Sequence, residues 1–95
     1  MPKIVVEYLL RFKDLVGKDR DEIVVGRETT IKDLIDMLGM TYGEEFRQEF
    51  RNPSGDEVGG RVLIIVNDKV LTDKDLDMKL RDGDVVVLTY VVFGG

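Results

Sequence analysis

The residues best placed to do chemistry are the last two, Gly94 and Gly95. At an ordinary glycine usage of about 7%, two glycines end a chain by chance about once in two hundred times. Glycine has no β-carbon, so it accepts many backbone conformations and lets another molecule approach closely. A free carboxylate on two such residues is a thin, flexible tip that can enter a narrow channel and be activated there. Val91, Val92 and Phe93 lead into it. The plainer reading is a frayed terminus, where order is commonly lost.

Elsewhere the chemical inventory is sparse. There is no cysteine and no histidine. That removes disulfides, thiolate nucleophiles, Cys/His zinc sites and any Ser-His-Asp triad. Ser54, the one serine, lies in a Pro/Gly turn. Such a chain is better suited to be a reagent than a catalyst, and the expectation is that it is not an enzyme on its own. Gly17-Lys18 lacks the spacing of a phosphate loop and is not followed by Ser or Thr. Asp73, Asp75, Asp77 and Asp84 imitate the spacing of a calcium loop, but Met78 stands where the sharp turn needs glycine. A solvated acidic turn accounts for them, and no metal site is expected.

Composition narrows the partners. The chain has 95 residues, 43% of them apolar, and a formal net charge of −5; its pI is about 4.7. This is one small domain with a modest core. Nucleic acids and anionic membranes reward clustered Lys and Arg, so neither is expected as a partner. Met1-Pro2-Lys3 leads straight into an alternating segment, with no visible signal peptide. The apolar run Val85–Phe93 is too short to span a bilayer. The expected location is the cytoplasm. Charged residues are many, and Asn and Gln occur only at Gln48, Asn52 and Asn67, a bias that resembles hyperthermophile composition.

The elements that must carry the tip follow from periodicity. Ile4, Val6, Tyr8, Leu10 and Phe12 recur at every second position, the period of a half-buried strand. Asp14–Asp21 reads as a loop, and Glu22–Val25 as a second strand paired antiparallel with the first. Thr30 offers a helix N-cap with Asp33 as its capping partner. Ile31, Leu34, Ile35 and Leu38 form one apolar stripe, and Gly39 is a plausible stop. Tyr42–Phe50 adds helical turns with Phe46 and Phe50 on one face, and Asn52–Gly60 reads as a loop. Arg61–Val66 is a strand, Asn67-Asp68 a turn and Lys69–Leu71 a short return strand. Thr72–Arg81 reads as irregular or briefly helical. Asp82-Gly83-Asp84 turns the chain into the last strand, Val85–Tyr90.

The class is therefore α+β: a mixed sheet with one main helix on one face, in a single domain over 1–95 with a flexible tail at about 91–95. Placing the last strand beside the first, in parallel at the sheet's centre, explains why both are so apolar. If the helix covers the Ile4/Val6/Tyr8 side, then Val5 and Leu9 point away from it, as do Val85, Val87 and Thr89. The result is an apolar patch next to the tail, and exposed contiguous apolar surface marks binding sites. The competing reading is that Tyr42–Gly60 folds over that patch.

Three stretches together carry a resemblance. Phe12-Lys13-Asp14-Leu15-Val16-Gly17 follows the alternating strand. Val66-Asn67-Asp68-Lys69 follows the third strand. Leu80-Arg81-Asp82-Gly83-Asp84-Val85-Val86 precedes the Gly94-Gly95 end. In this order they resemble the ubiquitin-like sulfur carriers, most nearly the small subunit of molybdopterin synthase, with thiamine-pathway carriers and archaeal ubiquitin-like modifiers as relatives. Many synthase small subunits carry prolines shortly before the final glycines; Tyr90, Val91 and Val92 stand here.

The resemblance implies a β-grasp fold and a specific tail chemistry. An adenylating enzyme would use ATP to convert the Gly95 carboxylate to an acyl-adenylate, and a persulfide sulfur would replace AMP to give a thiocarboxylate. The carrier itself would bind no cofactor. Its partners would be that activating enzyme and the large subunit of molybdopterin synthase. Docking would use Val5, Leu9, Val87, Thr89, Val91 and Phe93, with Gly94 and Gly95 as the reacting end. The competing readings are a modifier joined through Gly95 to target lysines, a carrier for thiamine or tRNA sulfur, and an interaction domain whose Gly-Gly is incidental.

Overall fold

The computed structural model describes residues 1–51 and 62–91. Its sheet begins where alternation is cleanest. β1 (Lys3–Tyr8) buries Ile4, Val6 and Tyr8 completely on one face. β2 (Arg20–Val24) pairs antiparallel with it, Ile4 opposite Ile23 and Val6 opposite Asp21. β5 (Val85–Tyr90) lies parallel to β1 on its other side, Val6 opposite Val86 and Tyr8 opposite Leu88. β3 (Val62–Val66) is antiparallel to β5, and β4 (Lys69–Val70) closes the far edge. The order β2-β1-β5-β3-β4 puts the two expected parallel neighbours at the centre. Asn67 and Asp68 make the tight turn between β3 and β4, with φ of 49° and 72°. Positive φ at both central residues matches the right-handed twist of the flanking strands.

The strand expected to run on toward Phe12 stops earlier. Leu10 takes φ 55° and turns the chain into α1 (Arg11–Val16). Leu10 is consequently 53% exposed, while Phe12 is fully buried from the helix. Phe12, Leu15 and Val16 have helical spacing, and Gly17 ends the helix at φ 82° with its N–H on the Lys13 carbonyl. The segment read as a loop over Asp14–Asp21 thus begins in helix, through Val16, and ends in β2, which starts at Arg20.

The main helix, α2 (Ile31–Tyr42), starts where its cap predicts. The Thr30 Oγ1 accepts the Asp33 N–H at 3.1 Å, and Asp33 Oδ2 accepts the Thr30 N–H at 3.0 Å. Such a cap contributes about 0.5–2 kcal/mol. Ile31, Leu34 and Leu38 are buried in the core with Ile4, Val6, Tyr8, Val86 and Leu88. Gly39 does not stop α2; the helix runs on, and Gly43 at φ 101° ends it. Gly39 has a packing role instead. A β-carbon there would come within 2.7 Å of the Arg47 side chain on α3 (Glu44–Arg51). Phe46 and Phe50 of α3 do share a face, 5.4 Å apart, and both pack on Phe12. The loop expected over Asn52–Gly60 lies outside the described residues.

The acidic stretch is structural. Thr72 caps a single 3-10 turn, Asp73–Asp75, and Asp75 Oδ2 accepts the Thr72 N–H at 2.8 Å. Asp84 is buried and takes the Asn67 side-chain N–H and the Arg81 backbone N–H, each at 2.8 Å. These carboxylates are committed to separate turns rather than converging on one point. Among the described residues no group of acidic side chains is arranged to hold a metal ion.

Candidate functional site: the open sheet face and the base of the tail

Sheet register decides which residues share the face turned away from α2. Across the strands, one row reads Val70, Ile65, Val87, Glu7 and Arg20. The next sets Val85 beside Val5 and Glu22. Val5, Val85, Val87, Leu63 and Ile65 are all half-buried, yet none belongs to the core or packs against it. Leu9, just past β1, is 45% exposed, and Val70 at the far edge is 51% exposed. The face is therefore apolar over β5, β3 and β4, and it becomes charged toward β2. An apolar centre with a charged rim is the chemistry suited to a protein partner.

Val5, Leu9 and Val87 thus stand where alternation put them. Thr89 differs in exposure, at only 8%. It lies opposite Leu63, and the Leu9 amide bonds the neighbouring Leu88 carbonyl at 3.0 Å. Register keeps it on the outer face with Val85 and Val87, but at that exposure it offers a partner little surface. Leu63, Ile65 and Val70 were missed. The run Val62–Val66 is apolar at every position, so it carries no alternation to separate the faces; its very uniformity was the signal that both are apolar. Of the segment Tyr42–Gly60, the competing cover for this face, α3 packs its Phe46 and Phe50 on the Phe12 side instead, and residues 52–60 lie outside the described residues.

The patch borders the base of the tail. Val91, half-buried, is the last described residue. Phe93, Gly94 and Gly95 lie outside the described residues. Tyr90 immediately before is buried, and its ring stacks on Phe12 at 5.0 Å and 16°. Its hydroxyl donates to Glu49 Oε1 at 2.5 Å. Burial, reinforced by that carboxylate, raises the Tyr90 pKa far above its ordinary value, so the phenol stays a donor.

A part-buried polar cluster joins the C-terminal end of α2 to the sheet. Asp21 Oδ2 accepts the hydroxyls of Tyr8, at 2.7 Å, and of Tyr42, while Lys18 Nζ lies 3.1 Å from Oδ1. Burial raises the Tyr8 and Tyr42 pKa values, and the Asp21 carboxylate adds to the effect. For Asp21 burial also acts upward, but the bonds from Tyr42, Tyr8 and Lys18 outweigh it and hold the carboxyl below its usual range. Both tyrosines are spent as structural donors rather than offered to a ligand.

A five-stranded mixed sheet with its first and last strands parallel at the centre and one main helix across it defines a ubiquitin-like β-grasp protein, the fold of small sulfur carriers. The sequence model of the ThiS family matches residues 6–95, and the chain belongs to that family. Small carriers of this type are generally non-catalytic. No curated protein sequence matches the chain. Among solved structures it is similar to a putative molybdopterin converting factor, subunit 1, from Pyrococcus furiosus, at 28% identity and TM-score 0.71, covering 96% of this chain and 100% of that one. Small archaeal modifier protein 1 from Methanosarcina acetivorans shares the fold at 18% identity and TM-score 0.73, covering 100% of this chain and 98% of that one. Urm1 from Trypanosoma brucei does so at 23% and 0.71, covering 98% and 95%. Among the described residues no helix is long and apolar enough to cross a membrane.

Proposed function

We propose that the chain is the sulfur-carrying small subunit of a molybdopterin synthase, acting in the cytoplasm. The observation that carries this reading is the likeness to the Pyrococcus furiosus protein, which extends over the whole of that chain. In this role Gly95 carries the reacting carboxylate. A carboxylate is a poor electrophile until its oxygen becomes a leaving group, which adenylation with ATP by an activating enzyme supplies. The terminal sulfur of a protein persulfide then displaces AMP to give an acyl disulfide, a thiol reductant cleaves its S–S bond, and the thiocarboxylate released is ionised and nucleophilic at neutral pH. A carrier of this kind needs only a reachable end and a docking face, here Val5, Leu9, Val87, Leu63, Ile65 and Val70. Activating enzyme and large synthase subunit would dock on that face in turn.

The test is to incubate the intact protein with the adenylating enzyme of the same organism, ATP and a sulfur donor, and to weigh it. A mass gain matching one oxygen replaced by sulfur is expected. It should be absent after deletion of Gly95, which shortens the reach by about 3.3–3.6 Å, and after Gly94→Val, which puts a branched side chain into a channel built for bare backbone. Stability should barely change in either variant. Linkage to target lysines without use of a thiocarboxylate would establish the modifier reading instead. No ATP consumption with any such enzyme of that organism would leave an interaction domain.

A further inference from the structure

The outer face and the tail need a mechanical connection. A tail of residues 91–95 spans at most about 17–18 Å when fully extended, at about 3.3–3.6 Å per residue. A docked sheet face therefore delivers the end to a distant reaction centre only if the tail departs from a defined point in a defined direction. A strand's last residue ordinarily frays. Here Tyr90, the last residue of β5, is held by two other elements. Phe12 of α1 stacks on its ring. Glu49 of α3 accepts its hydroxyl on Oε1 and, on Oε2, lies 3.2 Å from Arg11 Nε of α1. The Glu49 side chain is 19% exposed, which shields it from water and strengthens both bonds.

Filling the core does not require this arrangement. A phenylalanine would stack on Phe12 equally well. The hydroxyl adds a directional bond, and Arg11 fixes the carboxylate that receives it. Both partners of Tyr90 lie on the helix side of the sheet, so engaging them leaves the docking face free.

We propose that Tyr90, held by Glu49 and Arg11, is a positioning residue that fixes where and in what direction the chain leaves the sheet toward Gly95. This rests on the reading of Gly95 as the activated end. A fixed departure point protects alignment at the reaction centre, where about 1 Å of misplacement costs about 100-fold in rate.

The experiment compares the wild type with Tyr90→Phe, Glu49→Leu and the double variant. Adenylation is followed with the activating enzyme of the same organism, alongside thermal unfolding and the backbone order of Val91 by NMR relaxation. Tyr90→Phe keeps the ring stack and is expected to lower kcat about tenfold, part of the misplacement penalty, while KM stays within about twofold. Glu49→Leu should do at least as much. The double variant should match Glu49→Leu, because the two residues act as one unit. The Val91 order parameter should fall from about 0.85 toward 0.6 while Leu88 stays rigid. An unchanged kcat in both single variants, or a raised KM at constant kcat, overturns the proposal. If even the wild type is not adenylated, the functional reading fails separately. The Val91 measurement then decides the clamp alone, and unchanged order in Glu49→Leu overturns it.

Discussion

Asp21 shows how much one side chain can hold. It receives the hydroxyls of Tyr8 from β1 and Tyr42 from the end of α2, with Lys18 on its other oxygen. Its pKa is depressed in the folded chain because those donors outweigh its burial. Its contribution to stability is therefore complete above the unfolded carboxylate value of about 3.9. That contribution is lost as pH falls through the lower folded value. Asp21→Asn should lower the urea midpoint at pH 7 and flatten the loss of stability below about pH 4 relative to wild type. Parallel acid limbs in the two proteins would assign the acid sensitivity to other carboxylates.

Among the elements, α2 depends most on a single apolar stripe. Leu34 is fully buried between the helix and the central strands. Leu34→Ala should cost about 2–5 kcal/mol, as large core truncations do, read as a lowered denaturant midpoint with an unchanged slope. A loss under about 0.5 kcal/mol, the size of a surface substitution effect, would mean the helix is held elsewhere. The short helices α1 and α3 matter differently. They meet through Phe12, Phe46 and Phe50, and through Arg11 and Glu49. Their joint product is the anchored end of β5.

At the scale of the molecule, the proposed function divides the labour: the apolar sheet face outside the core would serve recognition, and the carboxylate of Gly95 would serve chemistry. Leu9→Asp and Ile65→Asp should each weaken binding to the activating enzyme at least tenfold, because a charge would be buried in the interface without a partner, at a cost above about 1.4 kcal/mol. The fold should survive, as circular dichroism and thermal unfolding would show. Normal binding by both variants would move the docking surface elsewhere.

Much of this protein was legible in the chain alone. Alternation placed Ile4, Val6 and Tyr8 inside and Val5 and Val87 outside. The Thr30/Asp33 pair marked the start of α2, and the apolar character of the first and last strands placed them side by side at the centre. Periodicity records which face a residue takes, and that is a local property. It could not say where β1 ends, because residues 8–16 fit a strand's spacing and then a helix's. It was silent on the two faces of Val62–Val66, where every position is apolar. It set Thr89 on the outer face, where register agrees, but it could not foresee that the residue is buried there. Tertiary structure alone joined Tyr8 to Asp21 and Tyr42, and Tyr90 to Glu49 across 41 positions. Such contacts depend on where separate elements come to rest, which no local pattern specifies.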